Sequence, residues 1–204
     1  MISAHTRAWL ENTQGLVEPS EGMRLAELAA SVPANQAIVE VGSHTGLSTC
    51  WLAAGSKDGN GAHITAVDPW GPPRPGSMDD PWELGADGVL ERFRSNIAGT
   101  TQEEPNDDYG SLVTPLRTTS QIAADLWVQP IGLLFIDAIH EGPAVRADWA
   151  AWGPHMAPRG LACFHDYGDG YPQVRVAIDQ FVIPSRDWIS IEVTDPSLWQ
   201  GQLR

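Results

Sequence analysis

The sequence predicts an α/β fold in which a parallel sheet is covered by helices on both faces. Three observations carry this expectation. Apolar segments of strand length alternate with segments of helical periodicity along most of the chain. The strand segments, Ile131–Ile136 foremost, are near-continuous apolar runs, as expected of strands buried on both sides. One of them, Ala37–Val41, runs through a glycine turn, Gly42 to Gly46, straight into a helix. A helix N-terminus leaves backbone N–H groups unpaired and carries partial positive charge, so such a turn is built to receive a polar or anionic ligand.

The elements follow in order. Two helices come first, over residues 4–13 and 20–31, with Ser20 as the expected N-cap of the second and Pro33 closing it. Leu25, Leu28 and Val32 recur there at helical spacing. Strand 37–41 and helix 47–54 lead to strand 63–67, with Asp68 at its end. Helix 88–97, strand 112–116, a short helix at 120–126 and strand 131–136 come next. Helix 143–156, strand 161–164 and helix 171–181 complete the alternation, and residues 188–193 and 197–203 read as a closing antiparallel hairpin. Residues 69–87 interrupt the pattern with Pro, Gly and Asp and carry Trp70 and Trp82; a loop this long in a compact domain is a lid candidate. Residues 100–110, with Glu103, Glu104, Asp107 and Asp108, read as solvated surface. The 204 residues suit a single domain, 1–204, with N-terminal helices in 1–35 and the insertion at 69–87.

The formal charge of −14 comes from 26 acidic against 12 basic residues, and the basic ones form no run. That balance argues against a nucleic-acid or anionic-membrane partner. Cys50 and Cys163 fall in apolar segments, the pattern of reduced, buried thiols rather than a disulfide framework. The N-terminal MISAHTRAWLENTQ has no apolar core of a signal peptide, and no apolar run approaches membrane-spanning length, so a soluble cytoplasmic protein is expected.

In open α/β sheets ligands bind beyond the carboxyl ends of the strands, near the reversal of strand order. The strand ends at Glu40–Gly42, Asp68, Asp137 and His165–Asp166 therefore matter most. Asp68, 22 residues after Gly46, is suitably spaced to accept both hydroxyls of a ribose. Asp137 ends an apolar strand, where a carboxylate is costly unless it is paired or binds something. His140, three residues on, has the chemistry of a general base. Asp137, His165 and Asp166 together form a set able to hold a hard divalent cation such as magnesium.

Four motifs at successive strand ends resemble a class I S-adenosylmethionine-dependent methyltransferase. They are Glu40-Val41-Gly42…Gly46-Leu47-Ser48-Thr49, Ala66-Val67-Asp68-Pro69-Trp70, Leu134-Phe135-Ile136-Asp137…His140 and Gly160-Leu161…Phe164-His165-Asp166. The resemblance spans roughly residues 18–181 and is to the branch of small-molecule and sugar O-methyltransferases of the macrolide-sugar and cephalosporin-modification type. It implies a Rossmann-like, seven-stranded, mostly parallel sheet with an antiparallel last strand. It also implies that Glu40, Gly42 and Gly46 line the methionine part of the cofactor, that Asp68 holds its ribose and Thr119 and Ser120 lie near its adenine, and that Ser43, His44, Ser48 and Asp137 belong to the same cofactor site. Asp137 lies beside the reacting centre in such enzymes and, in metal-dependent relatives, binds magnesium with the residues at 165 and 166. His165 departs from this pattern by standing where those relatives carry a carboxylate, and Gly142 by standing where many carry an aromatic residue.

The reaction that follows is displacement of an activated methyl by the hydroxyl of a small-molecule acceptor. His140 removes the proton and Asp137 orients the site or holds the metal. Trp70 and Trp82 either close over the acceptor or pack the insertion against the domain. A nicotinamide oxidoreductase is disfavoured because the middle glycine of G-x-G-x-x-G is here His44. A non-catalytic interaction module stays open as the alternative of another class. So does association into a homo-oligomer, which relatives often achieve through N-terminal segments and inserted loops.

Overall fold

The computed structural model describes residues 2–71, 84–103, 105–194 and 196–204. Seven strands form one sheet: β1 (Ala37–Val41), β2 (Ile64–Asp68), β3 (Val113–Arg117), β4 (Ile131–Ile136), β5 (Met156–Phe164), β6 (Trp188–Thr194) and β7 (Leu198–Leu203). Their spatial order is β3-β2-β1-β4-β5-β7-β6. The first five pair in parallel, and β7 alone runs antiparallel to both of its neighbours. The chain winds outward from β1 in both directions, so the order reverses between β1 and β4 and opens a crevice beyond their carboxyl ends. Pro115 sits in edge strand β3, where a missing N–H is tolerated.

Strand alternation divides the interior into two cores. Ile38 of β1 faces a core shared with α1 (Ala4–Glu11), α2 (Pro19–Ser31), α3 (Leu47–Asp58) and α4 (Gly85–Ile97). Ala37, Val39 and Val41 face the other, built with α5 (Ser120–Asp125), α6 (Gly142–Trp152) and α7 (Pro172–Ala177). Helix α3 is buried from Leu47 through Ser56, because α2 covers the side that the sheet does not. The two helices approach backbone to backbone: a Cβ at Gly55 would lie 2.0 Å from the Ala26 carbonyl oxygen, and one at Gly59 2.2 Å from that of Ala30.

Several boundaries differ from the sequence reading for identifiable reasons. Helix α2 begins at Pro19, whose missing N–H costs nothing in the first turn, with Glu18 rather than Ser20 as N-cap. The Glu21 carboxylate reaches back to the Glu18 N–H at 3.3 Å. The helix expected over 143–156 ends at Trp152 in a 3-10 turn around Pro154, and Met156 already pairs with Ile131 in the sheet. The helix expected over 171–181 is α7 followed by a π-helical turn, Ile178–Val182. Residues 100–110 are not simply solvated. Tyr109 is fully buried, and the Gln102 amide donates to the Trp9 carbonyl (2.7 Å) and the Thr13 hydroxyl (2.8 Å), docking the segment on α1.

Candidate active site

The floor of the site is the turn after β1. Gly42 has φ +91°, and a Cβ there would lie 2.1 Å from the Asp137 carbonyl oxygen, so only glycine fits where the ends of β1 and β4 meet. Gly46, at φ +87°, caps α3 with its open side against Phe93. Between them the His44 N–H donates to Asp68 Oδ2 at 2.9 Å. The Trp70 N–H donates to Asp68 Oδ1 at 2.6 Å, so two backbone donors orient this carboxylate and leave each oxygen a further lone pair. Trp70 is buried, sits edge-on to Phe93 with ring centroids 4.9 Å apart, and donates its indole N–H to the His44 carbonyl at 2.8 Å. Its φ of +40° is a strained conformation for an aromatic residue, held by Arg117, which donates to the Pro69 (3.3 Å) and Trp70 (3.0 Å) carbonyls. Trp70 therefore packs the start of the insertion; Trp82 and most of the lid candidate lie outside the described residues.

Glu40 does not join the site surface as expected. Strand alternation turns its side chain toward α3, where it is fully buried behind the turn and accepts a hydrogen bond from the Thr49 hydroxyl. Burial raises its carboxyl to about 7. The correction is one of direction: Glu40 faces the opposite side from Val39 and Val41 and reaches the turn from behind.

The ends of β4 and β5 bring two imidazoles and two carboxylates together. His140 Nε2 lies 2.7 Å from Asp166 Oδ2 and 3.8 Å from Asp137 Oδ1, and its ring rests against Tyr171 with centroids 4.4 Å apart. Burial pulls the His140 pKa down, but the hydrogen bonds to Asp137 and Asp166 outweigh it and raise it to about 9. His165 Nδ1 lies 3.3 Å from both Asp137 Oδ1 and Asp166 Oδ2, and its Nε2 lies 2.9 Å from Glu21 Oε2. Desolvation again opposes charge, yet these carboxylates hold His165 well above the ordinary histidine range. Asp137 in turn is held far below the carboxylate range, its burial overcome chiefly by the His165 charge and the His140 bond.

Around these groups lies a cavity of about 1000 Å³. Gly42, Ser43, His44, Gly46, Ser48, Asp68, Thr119, Ser120, Asp137, His140, His165 and Asp166 all line it; Glu40 does not. The Ser120 hydroxyl already accepts from the Trp152 indole at 2.9 Å, so its side chain is committed to the protein. The sequence reading missed Glu21, Asp148 and Tyr171. Buried Asp148 lines the cavity and accepts from the Gln121 amide at 2.8 Å, while burial raises its pKa. None of the three belongs to a strand-end motif, and no local pattern marks them.

Among the described residues, Asp137, His140 and Asp166 are placed so that one donor atom from each lies within 4.8 Å of the others. The metal set read from sequence had His165 in place of His140. His165 is unsuited to that role here because both of its ring nitrogens already face carboxylates.

A sheet of this order with a cavity at its switch point, floored by a glycine turn and edged by strand-end acids, defines a Rossmann-like ligand-binding enzyme class. The family described as "Methyltransferase domain" matches residues 39–167, well over half of the chain, and the chain belongs to that family. Among solved structures the fold is similar to the O-methyltransferase NovP, with TM-score 0.65 and 15% identity over 94% of this chain and 83% of that one. It is also similar to CalS11, a TDP-rhamnose 3'-O-methyltransferase of calicheamicin biosynthesis (TM-score 0.61, 14% identity, 98% and 81% covered). TomG of Streptomyces achromogenes, an O-methyltransferase of tomaymycin synthesis in complex with SAM, is a third (TM-score 0.61, 17% identity, 98% and 86% covered). No described helix is long and apolar enough to cross a membrane.

Proposed function

We propose that the chain transfers a methyl group from S-adenosylmethionine to a hydroxyl of a small molecule. The observation that carries this reading is a single cavity that joins the Asp68 carboxylate and glycine turn on one side of β1 to the His140–Asp166 pair on the other. The turn is poorly suited to a pyrophosphate. Its His44 N–H is spent on Asp68 and its Gly46 N–H on the Ser43 carbonyl, so neither is left for phosphate oxygens. The strand-end carboxylates also favour a sulfonium cation over a dianion. TomG, solved with SAM, supports the same cofactor.

In this reading Gly42, Ser43, His44, Gly46 and Ser48 surround the methionine part, Asp68 accepts from the ribose hydroxyls, and Thr119 with the backbone at Ser120 borders the adenine. Bound S-adenosylmethionine supplies a methyl activated by a sulfonium leaving group. The acceptor oxygen forms its bond to that methyl as the carbon–sulfur bond breaks toward sulfur. His140 takes the hydroxyl proton on Nδ1, since its Nε2 already carries the hydrogen that faces Asp166, and Asp166 stabilises the imidazolium that results. With its pKa near 9, His140 holds a proton at neutral pH, so the fraction competent as base grows with pH. Magnesium, which the resemblance implies, would meet Asp137 and Asp166 oxygens that already face the imidazoles of His140 and His165, and no step of the reaction is routed through it.

Calorimetric titration with S-adenosylhomocysteine and, separately, NAD tests the reading. Stabilisation and saturable heat are expected for the first only, and binding of NAD alone overturns it. Transfer of labelled methyl to a panel of hydroxylated acceptors, sugars included, separates an enzyme from a binding module.

A further inference from the structure

We infer that the imidazolium of His165, fixed by Glu21, is the resident cation of this site and holds Asp137 and Asp166 in place of a divalent metal. The inference builds on the methyl-transfer reading of the cavity but concerns the chain's own residues. A carboxylate has no proton to give, so a ring nitrogen that faces one must carry the hydrogen. Both nitrogens of His165 do: Nε2 faces Glu21 Oε2 at 2.9 Å, and Nδ1 faces Asp137 Oδ1 and Asp166 Oδ2 at 3.3 Å each. The ring is almost wholly buried and edge-on to Phe135, with centroids 6.4 Å apart. Turning it to offer a lone pair to a metal would strand the fully buried Glu21 carboxylate without its cation.

Glu21 is itself built into place from a distant part of the chain. Its Oε1 accepts from the Ser197 N–H at 2.9 Å and the Ser197 hydroxyl at 3.0 Å, which ties α2 to the turn between β6 and β7. Both imidazoles converge on the same two oxygens, Asp137 Oδ1 and Asp166 Oδ2, His140 at 3.8 and 2.7 Å and His165 at 3.3 Å from each. A divalent ion would have to displace both imidazoles from these two oxygens before it could bind them. His165 and Glu21 are positioning residues in this arrangement: they set the Asp137 and Asp166 oxygens against which His140 works.

Titration of the intact protein with Mg²⁺ and with Mn²⁺, followed by calorimetry and by Mn²⁺ paramagnetic resonance, is expected to show no stoichiometric site up to millimolar ion. Nitrogen-15 spectra of ring-labelled histidine should show both His165 nitrogens protonated from pH 6 to 9. His165→Asp is expected to gain at least tenfold in Mn²⁺ affinity. A neutral His165 ring at pH 7, or one Mn²⁺ bound by the unaltered protein at micromolar concentration, overturns the inference. If His165→Asp fails to fold, the two measurements on the unaltered protein decide alone. S-adenosylhomocysteine binding, read in the same samples, reports on the cofactor reading separately, and its loss would leave the His165 result standing.

Discussion

Replacing Glu40 with glutamine isolates the energetics of the carboxyl beneath the glycine turn. In the folded chain this group is fully buried, and burial outweighs the hydrogen bonds from Ser48, Thr49 and Ser43, so ionisation is disfavoured and the carboxyl rises from 4.5 to about 7. A folded-state pKa above the unfolded one means the neutral acid favours folding. That contribution is complete below about pH 4.5 and is lost as pH rises through about 7. At roughly 1.4 kcal/mol per pH unit, the loss between those limits is about 3 kcal/mol. Glutamine stays neutral throughout, can accept from Thr49, and can give an amide N–H to the buried Ser43 hydroxyl. Urea unfolding at pH 4, 5, 6, 7 and 8 should give nearly equal stabilities at pH 4. By pH 8 the variant should gain up to about 3 kcal/mol over the parent, with unchanged m-values. Every other titrating group cancels in the difference. Parallel stability curves across this range would refute the reasoning, because they would mean that Glu40 ionises as easily folded as unfolded.

Three further outcomes follow from the geometry. His140→Ala should lower kcat by about 10²–10⁴-fold with S-adenosylhomocysteine affinity kept. In the parent, kcat/KM should climb tenfold per pH unit and level off near pH 9, as a base of that pKa requires; a flat profile from pH 6 to 9 excludes His140 as the base. Trp70→Phe keeps the contact with Phe93 but deletes the hydrogen bond to the His44 carbonyl, so cofactor affinity should fall by about fivefold, on the order of 1 kcal/mol, in calorimetry. Gly55→Ala drives a methyl into the α2 backbone and should cost on the order of 1–3 kcal/mol in urea unfolding, whereas Gly170→Ala, which meets no described residue within 4 Å, should leave stability unchanged.

The sequence by itself determined the strand succession, the glycine turn and the acids at the strand ends. Each is written in neighbouring residues: an apolar run, a glycine where no Cβ fits, a carboxylate where a buried strand meets solvent. That was enough to place the strand-end groups Asp68, Asp137 and His140 on the cavity lining. What only the tertiary structure decided is which way those groups face and what they meet. Glu40 lies in the predicted strand, but the sheet's alternation turns it away from the cavity. Residues 100–110 look solvated by composition, yet Tyr109 joins a core that reaches back to Trp9 and Leu10 of α1. His165 reads locally as a strand-end ligand, and its real partner, Glu21, stands 144 residues earlier, so no local pattern couples them. Charge pairing acts through space at a few ångströms, and only the folded sheet brings α2, β4 and β5 within that distance.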